Sequence, residues 1–138
     1  NALSGGDGDD TLVYSAQNSV MDGGSGFDTL LVQAGINLDF NNNINITNIE
    51  KIDMNNGAAN TITNLKLDDV LTMTNATNTL IIKGDNEDNV ATVNTTGWTK
   101  DATHSDSNAN DGLNEYVYTN GSDSITLKVD DQIDNTGL

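Results

Sequence analysis

The sequence contains neither cysteine nor proline among its 138 residues. Without cysteine, the chain cannot form disulfides or thiolate metal sites, and it has no thiol nucleophile. Without proline, its turns must be made by Gly, Asn and Asp. Hydrophobic residues make up 35% of the chain and aromatic residues only 4%. These deficits predict one domain with a modest core.

Basic residues are scarce as well. Five Lys and Arg residues stand against 21 Asp and Glu residues, which gives a formal net charge of −16. The field of such a chain repels nucleic acid and anionic membrane surfaces and attracts cations. No apolar run approaches transmembrane length, so we expect neither nucleic-acid binding nor membrane insertion. Strong self-repulsion with weak hydrophobicity favours disorder unless the charge is neutralised.

Short segments rich in β-branched residues, bounded by Gly, Asn and Asp, predict β-strands along most of the chain. The predicted strands are Thr29–Val32, Asn37–Phe40, Ile49–Met54, Asn60–Leu65, Thr79–Lys83, Asn89–Val93, Glu115–Thr119 and Ser124–Val129. One segment, Leu65–Thr74, predicts a short helix instead, because its apolar residues recur at helical spacing and Asp68 and Asp69 suit a helix N-terminus. Residues 100–114 form a polar stretch that predicts a loop.

The first 32 residues carry the same glycine-rich pattern twice. Both copies fit the nonapeptide G-G-x-G-x-D-x-U-x, where U is a large apolar residue. The first copy uses Gly5, Gly6, Gly8, Asp10 and Leu12, and the second uses Gly23, Gly24, Gly26, Asp28 and Leu30. Glycine reaches backbone conformations closed to other residues, so that carbonyl groups can converge, and Asp adds a hard anionic oxygen. Many hard oxygen ligands suit Ca²⁺.

The two copies begin 18 residues apart. This offset predicts one turn of a flattened coil, in which the motifs stack on one edge at the ~4.7–4.9 Å spacing of neighbouring strands. One ion fits between two motifs stacked in this way. The nine residues that separate them, YSAQNSVMD, lack the glycines and are expected to form the opposite edge without an ion. A pair of glycine-rich turns without any metal is the simpler alternative.

These motifs resemble the repeats of RTX (repeats-in-toxin) proteins, which form a calcium-stabilised parallel β-roll. The resemblance implies that two successive turns share one ion. The implied ligands are the carbonyls of Gly6, Gly8, Gly23 and Ser25 and the carboxylates of Asp10 and Asp28. The remainder, from NITNIEKIDM at Asn45 to SITLKVDD at Ser124, resembles the C-terminal region of very large bacterial adhesins exported by type I secretion.

Together the two resemblances imply a fold and a cellular setting. They predict an all-β fold, in which residues 1–32 form a short calcium-binding parallel β-roll. Residues 33–138 are expected to form a β-solenoid or β-sandwich-like capping segment with one short helix. The tail, Asp130–Leu138, is expected to pack weakly and to carry a type I secretion signal.

The same resemblances imply a function. The chain is expected to be a non-enzymatic, monomeric part of a longer adhesin, secreted or held at the bacterial cell surface, which folds on extracellular calcium. Its implied partners are calcium and the type I secretion machinery. Because the chain opens in mid-pattern at NALSGG, we expect it to be a piece of a longer protein.

Two other functions stay open. A calcium-dependent module could bind a peptide or a sugar, with Trp98, Tyr116 and Tyr118 as an aromatic platform, although core packing is the simpler role for these side chains. The chain could also be the C-terminal RTX part of a secreted hydrolase. His104, the only histidine, lies in the polar loop and is expected to be exposed, and no serine has the context of a nucleophile.

Two weaker metal signals follow the repeats. The segment GDNEDNV, Gly84–Val90, is similar to a worn repeat with Asp85 and Asp88 as candidate calcium ligands, and an acidic β-turn explains it equally well. The segment DSNANDG, Asp106–Gly112, begins like an EF-hand loop but has Asp111 where that loop needs glycine at its sixth position. We therefore do not predict an EF-hand.

Overall fold

The computed structural model describes residues 1–138, with 43% of the chain in strands and 5% in one helix. The strands are β1 (Ala2–Asp7), β2 (Thr11–Tyr14), β3 (Val20–Ser25), β4 (Thr29–Val32), β5 (Leu38–Asp39), β6 (Asn45–Thr47), β7 (Lys51–Asp53), β8 (Thr61–Thr63), β9 (Leu65–Lys66), β10 (Thr79–Lys83), β11 (Asn89–Val90), β12 (Val93–Asn94), β13 (Thr99–Lys100), β14 (Leu113–Thr119) and β15 (Ser124–Asp130). The helix is α1 (Leu67–Met73). The predicted all-β class with one short helix is confirmed.

Strands that lie one turn apart along the chain pair in parallel, so the chain winds as a stack of coils. One three-stranded sheet has the order β1-β3-β6, and a seven-stranded sheet has the order β2-β4-β7-β10-β15-β14-β13. The remaining strands form the sheets β5-β8-β11 and β9-β12. We define coil 1 as residues 2–19, coil 2 as residues 20–44, coil 3 as residues 45–66 and coil 4 as residues 67–94.

The coils widen along the chain. On the seven-stranded sheet Leu12 pairs with Leu30, Leu30 with Ile52, Ile52 with Ile82, and Ile82 with Val129. The sequence distance between partners grows at each step, because later coils insert further strands or the helix between them. The boundary expected between residues 32 and 33 stays a prediction, and β4 pairs with β7 across it.

The core fills the inside of the coils. Residues alternate between buried and more exposed along β2, β4 and β10, as half-buried strands require. Twenty-five buried hydrophobic residues form one cluster, to which coil 1 contributes only Leu12 and Tyr14. The first coil therefore has the smallest share of the apolar driving force.

The helix takes the place of a strand in coil 4. It contacts β6 and buries Leu67, Val70 and Met73, which lie on one face because residues three and four apart are neighbours on a helix. The helix predicted at Leu65–Thr74 is therefore confirmed, with slightly narrower bounds. Neither this helix nor any other part of the fold offers a helical stretch long and apolar enough to cross a lipid bilayer.

A hairpin closes the stack. Strand β15 pairs in parallel with β10 and antiparallel with β14, and β13 runs antiparallel to β14. Strand β14 covers the edge of β15 that faces away from β10. Because β14 runs in the opposite direction, the parallel part of the seven-stranded sheet ends at β15.

The tail after β15 packs more firmly than its composition predicts. Ile133 is only 4% exposed, and it fills space beside Gly84, where a Cβ atom would lie 2.8 Å from the Ile133 Cδ1 atom. The N–H of Asp134 donates to the Asp88 carbonyl at 3.1 Å, and the Asp134 carbonyl accepts the N–H of Val90 at 2.9 Å. The expectation of weak packing was wrong, because the backbone of the tail gains hydrogen bonds along β11.

Candidate metal centre

The two glycine motifs form stacked turns at one edge of the coils. The motif of coil 1 leads from β1 into β2, and that of coil 2 leads from β3 into β4. Gly6 pairs with Gly24 in the parallel ladder, so the motifs lie in register at their 18-residue offset. Gly6, Gly8, Gly24 and Gly26 have φ angles of 113°, 104°, 103° and 140°. Glycine is required there because these angles strain any residue with a Cβ atom.

Carbonyl groups of each turn lie close to the backbone of the other turn across the gap between the coils. A Cβ atom on Gly24 would overlap the Gly6 carbonyl oxygen, and one on Gly26 would overlap that of Gly8. In the other direction, a Cβ atom on Gly5 would overlap the Gly23 carbonyl oxygen. Three of the four carbonyls proposed from the sequence thus lie between the coils.

The fourth proposed carbonyl, that of Ser25, is already used in the ladder. It accepts a hydrogen bond from the N–H of Gly8 at 2.7 Å. A carbonyl oxygen has two lone pairs, so this bond leaves one lone pair of Ser25 for a further ligand.

Two carboxylate oxygens at this edge are buried without a partner. Asp28 is 0% exposed; its Oδ1 atom accepts the N–H of Asp10 at 2.8 Å, and its Oδ2 atom accepts no hydrogen bond. The Oδ2 atom of Asp10 is equally buried and unpartnered. Neither side chain forms an ion pair with Lys, Arg or His. An anionic oxygen in this position is costly unless a cation or an ordered water compensates it.

A third carboxylate, that of Glu50, lies in coil 3 in register with Asp10 and Asp28. We call these three residues the carboxylate column. Glu50 is 3% exposed; its Oε2 atom accepts the N–H of Asp28 at 2.8 Å, and its Oε1 atom accepts the N–H of Asn75 at 3.2 Å. The glycine pattern does not reveal Glu50, because the turn before it is shorter and contains no glycine. A usable signal is the acidic residue two positions before an inward apolar residue, which recurs in DTL, DTL and EKI.

No group of three Asp, Glu, His or Cys side chains is arranged to hold one metal ion. Asp10, Asp28 and Glu50 are instead spread along the column, one in each coil. An ion at this edge would therefore take at most two carboxylates and the rest of its ligands from carbonyl groups or water.

The second predicted pair, Asp85 and Asp88, is held by backbone donors. Asp88 is 1% exposed, and its two carboxylate oxygens accept the N–H groups of Asn60 at 2.9 Å and of Asp85 at 2.8 Å. The carboxylate of Asp85 accepts the N–H groups of Gly57 and Glu87. Burial raises the pKa of Asp88, although these backbone donors oppose the shift. A calcium role for this pair stays a prediction, and the geometry favours the alternative of an acidic turn.

The three aromatic residues of the predicted platform pack against the rest of the fold. Trp98 is 8% exposed and Tyr118 only 2%. The indole N–H of Trp98 donates to Asp68 at 2.8 Å. Tyr116 is half-buried, its hydroxyl accepts a hydrogen bond from Asn135 at 2.7 Å, and the ammonium of Lys100 lies 4.7 Å from its ring centre. These contacts favour core packing over an open aromatic platform.

His104 is less exposed than the sequence predicts, because it binds a carboxylate. Its Nε2 atom lies 2.7 Å from Glu115, and the hydroxyl of Ser107 donates to the same carboxylate at 2.6 Å. The Lys128 ammonium lies 3.4 Å from it. Because Ser107 contacts the carboxylate and not the imidazole, this cluster lacks the serine–histidine contact that activates a nucleophile.

Scans against models of known protein families, and searches of curated proteins and of solved structures, found no match to the chain. A functional inference for this protein therefore comes from its sequence patterns and from the geometry of its turns.

The close approach of the coils predicts different costs for two glycine substitutions. Gly6→Ala and Gly24→Ala both place a side chain at a positive φ, but the Gly6 position faces open space whereas the Gly24 position faces the Gly6 carbonyl. We expect Gly24→Ala to lower the free energy of unfolding by about 1–3 kcal/mol more than Gly6→Ala. Urea unfolding of both variants measures the difference, and equal losses would contradict the contact.

The Glu115 cluster predicts a pH dependence. The Ser107 hydrogen bond, followed by those of His104 and Lys128, holds the pKa of Glu115 below its ordinary value of 4.5. A lowered folded-state pKa stabilises the fold above the unfolded-state pKa, and this stabilisation is lost as the pH falls through the folded-state value.

We therefore expect Glu115→Gln to lower the free energy of unfolding by about 1–3 kcal/mol at neutral pH. The difference from the native chain should shrink as the pH falls through the folded-state pKa of Glu115, which lies below its ordinary value of 4.5. Urea unfolding at a series of pH values provides the measurement. A loss of the same size at pH 3 and at pH 7 would show that the charge of Glu115 is unimportant.

Proposed function

We propose that the protein is a calcium-binding module of the RTX type, in which one Ca²⁺ ion binds between coils 1 and 2. The observation that carries this proposal is the buried, unpartnered Oδ2 atom of Asp10. It lies near the Gly23 carbonyl of coil 2, beside the position of Gly5, and Oδ1 of Asp28 reaches the same gap, where it accepts the Asp10 N–H. A cation there compensates the two carboxylates and uses the carbonyl dipoles that surround them.

The donor chemistry favours calcium over other metals. All proposed ligands are hard oxygens: the carbonyls of Gly6, Gly8, Gly23 and Ser25 and the carboxylates of Asp10 and Asp28. Ca²⁺ accepts about six to eight such oxygens in a flexible arrangement, whereas Mg²⁺ needs a smaller octahedral shell and releases water reluctantly. No histidine or cysteine lies in the motifs to favour a transition metal.

The proposed role of calcium is to drive folding of the first coils. The chain carries a net charge of −16, and coil 1 adds only Leu12 and Tyr14 to the buried core. Where the unfolded chain has no preformed site, the free energy of binding becomes free energy of folding. Extracellular calcium modules bind at about 10⁻⁴–10⁻³ M, so the coils would fold only outside the cell.

The narrower proposal is that the chain is the C-terminal part of a large secreted adhesin. Its support is the resemblance described above, together with a strand arrangement in which parallel coils end in an antiparallel hairpin. The proposed type I secretion signal lies in Asp130–Leu138. Because Ile133 is buried in the folded protein, the exporter would have to bind this tail before the chain folds.

The calcium proposal predicts metal-dependent stability. In EDTA the first two coils should lose β-sheet circular dichroism, and millimolar Ca²⁺ should restore it. At a calcium concentration about 100 times the dissociation constant, one ion adds about 2.7 kcal/mol to the free energy of unfolding. Mg²⁺ at the same concentration is the control and should have little effect. A melting temperature that is the same in EDTA and in calcium would contradict the proposal.

The secretion proposal predicts loss of export when the tail is removed. Deletion of Asp131–Leu138 from a chain fused behind a reporter should abolish export through a type I system. Ile133→Ala is the matched control, since it removes the buried side chain, keeps the rest of the tail and should preserve export. Undiminished export of the shortened chain would place the signal elsewhere.

A further inference from the structure

We infer that a second cation binds between coils 2 and 3, at a site that the nonapeptide pattern does not encode. Its protein ligands are the Oδ2 atom of Asp28, the carbonyl of Asn48 and the carboxylate of Glu50. The identity of the ion as Ca²⁺ rests on the proposed function, whereas the geometry of the second site is independent of it.

Two of the three proposed oxygen ligands lie beside Gly23. A Cβ atom on Gly23 would overlap the Asn48 carbonyl oxygen and would lie 2.6 Å from Oδ2 of Asp28. The arrangement repeats that of the preceding coil, where a Cβ atom on Gly5 would overlap the Gly23 carbonyl oxygen and would lie 2.8 Å from Oδ2 of Asp10. The gap between coils 2 and 3 thus repeats the pair of a carbonyl and a carboxylate oxygen that lies between coils 1 and 2.

Coil 3 provides this geometry without a glycine motif. Asn48 follows Thr47 in the chain, and Thr47 pairs with Asp22, the residue before Gly23. Asn48 has a φ of 54°, in the left-handed region that asparagine tolerates better than most residues. Its carbonyl lies beside Gly23 of coil 2, as the Gly23 carbonyl lies beside Gly5 of coil 1, although neither of these two glycines has a positive φ.

The charges at this gap need compensation. Asp28 and Glu50 are 0% and 3% exposed, and they are linked through the hydrogen bond from the Asp28 N–H to Oε2 of Glu50. Neither forms an ion pair with a basic side chain; the adjacent Lys51 binds Asp53 at 3.1 Å instead. Buried carboxylates without a cation are costly. The two oxygens of Glu50 each accept one backbone N–H, whereas the Oδ2 atom of Asp28 lacks any hydrogen-bond donor.

Coil 4 shows that the fold can satisfy the same turn without a metal. A Cβ atom on Gly84 would lie 2.6 Å from Oδ2 of Asp88, the same distance as between Gly23 and Asp28. At Asp88, however, Oδ2 accepts the N–H of Asp85 at 2.8 Å. The turn around Asp28 provides no such donor, which distinguishes a cation site from a hydrogen-bonded turn.

Asp28 belongs to both sites under this assignment. Its Oδ1 atom lies toward coil 1, where it accepts the N–H of Asp10, and its Oδ2 atom lies beside the carbonyl of Asn48 in coil 3. Asp10 then serves only the first ion and Glu50 only the second. This division of roles makes the two sites separable by substitution.

The test counts calcium ions bound per chain by equilibrium dialysis, on native protein and on variants shown to be folded by circular dichroism. We expect Asp10→Asn and Glu50→Gln each to bind one ion fewer than the native chain, and Asp28→Asn to lose both ions. Asp130→Asn is the matched control, because it alters a buried carboxylate that already forms an ion pair with Lys83 at 2.6 Å. It should bind as many ions as the native chain.

A second measurement on the native chain guards against a Glu50→Gln variant that fails to fold. The ¹³C carboxyl resonance of Glu50 should shift on addition of Ca²⁺, as should that of Asp10. A shift at Asp10 without one at Glu50 would overturn the second site.

The outcomes separate the two proposals. Loss of an ion in Asp10→Asn but not in Glu50→Gln overturns the second site and leaves the proposed function intact. Loss of an ion in Glu50→Gln but not in Asp10→Asn supports the second site and overturns the first. A native chain that binds no calcium overturns both.

Discussion

Buried carboxylates without basic partners are the constraint on which the N-terminal half of the structure depends. Asp10, Asp28 and Glu50 follow one another along a column. The carboxylate of Asp28 accepts the N–H of Asp10, and that of Glu50 accepts the N–H of Asp28. These hydrogen bonds satisfy one oxygen of each aspartate at most and leave the charge in place. The column therefore holds the coils in register and at the same time creates a demand for cations.

The two ends of the molecule differ in how much apolar surface they bury on folding. The C-terminal part has α1, a hairpin and most of the 25-residue hydrophobic cluster, so apolar burial can offset chain entropy there. Coil 1 has little apolar surface to bury. The proposed calcium site therefore lies in the part of the fold with the least apolar burial, whereas the hydrophobic cluster stabilises the C-terminal part.

The sequence was informative where a residue type has only one structural use. Glycines at positive φ with an aspartate at fixed spacing indicated the stacked turns, and the apolar spacing before Met73 indicated the helix. Glu50 was not identified, because its role follows from register with Asp28 across a shortened turn. The packing of the tail was missed for a similar reason: its backbone hydrogen bonds to β11 depend on a long-range pairing that composition does not contain.

The most direct measurement of the central claim is anomalous diffraction from crystals of the protein grown in calcium. The account predicts an anomalous peak between coils 1 and 2, at about 2.3–2.6 Å from carboxylate oxygens of Asp10 and Asp28. A map with no such peak, in which a water molecule at hydrogen-bond distance satisfies Oδ2 of Asp10, would contradict it.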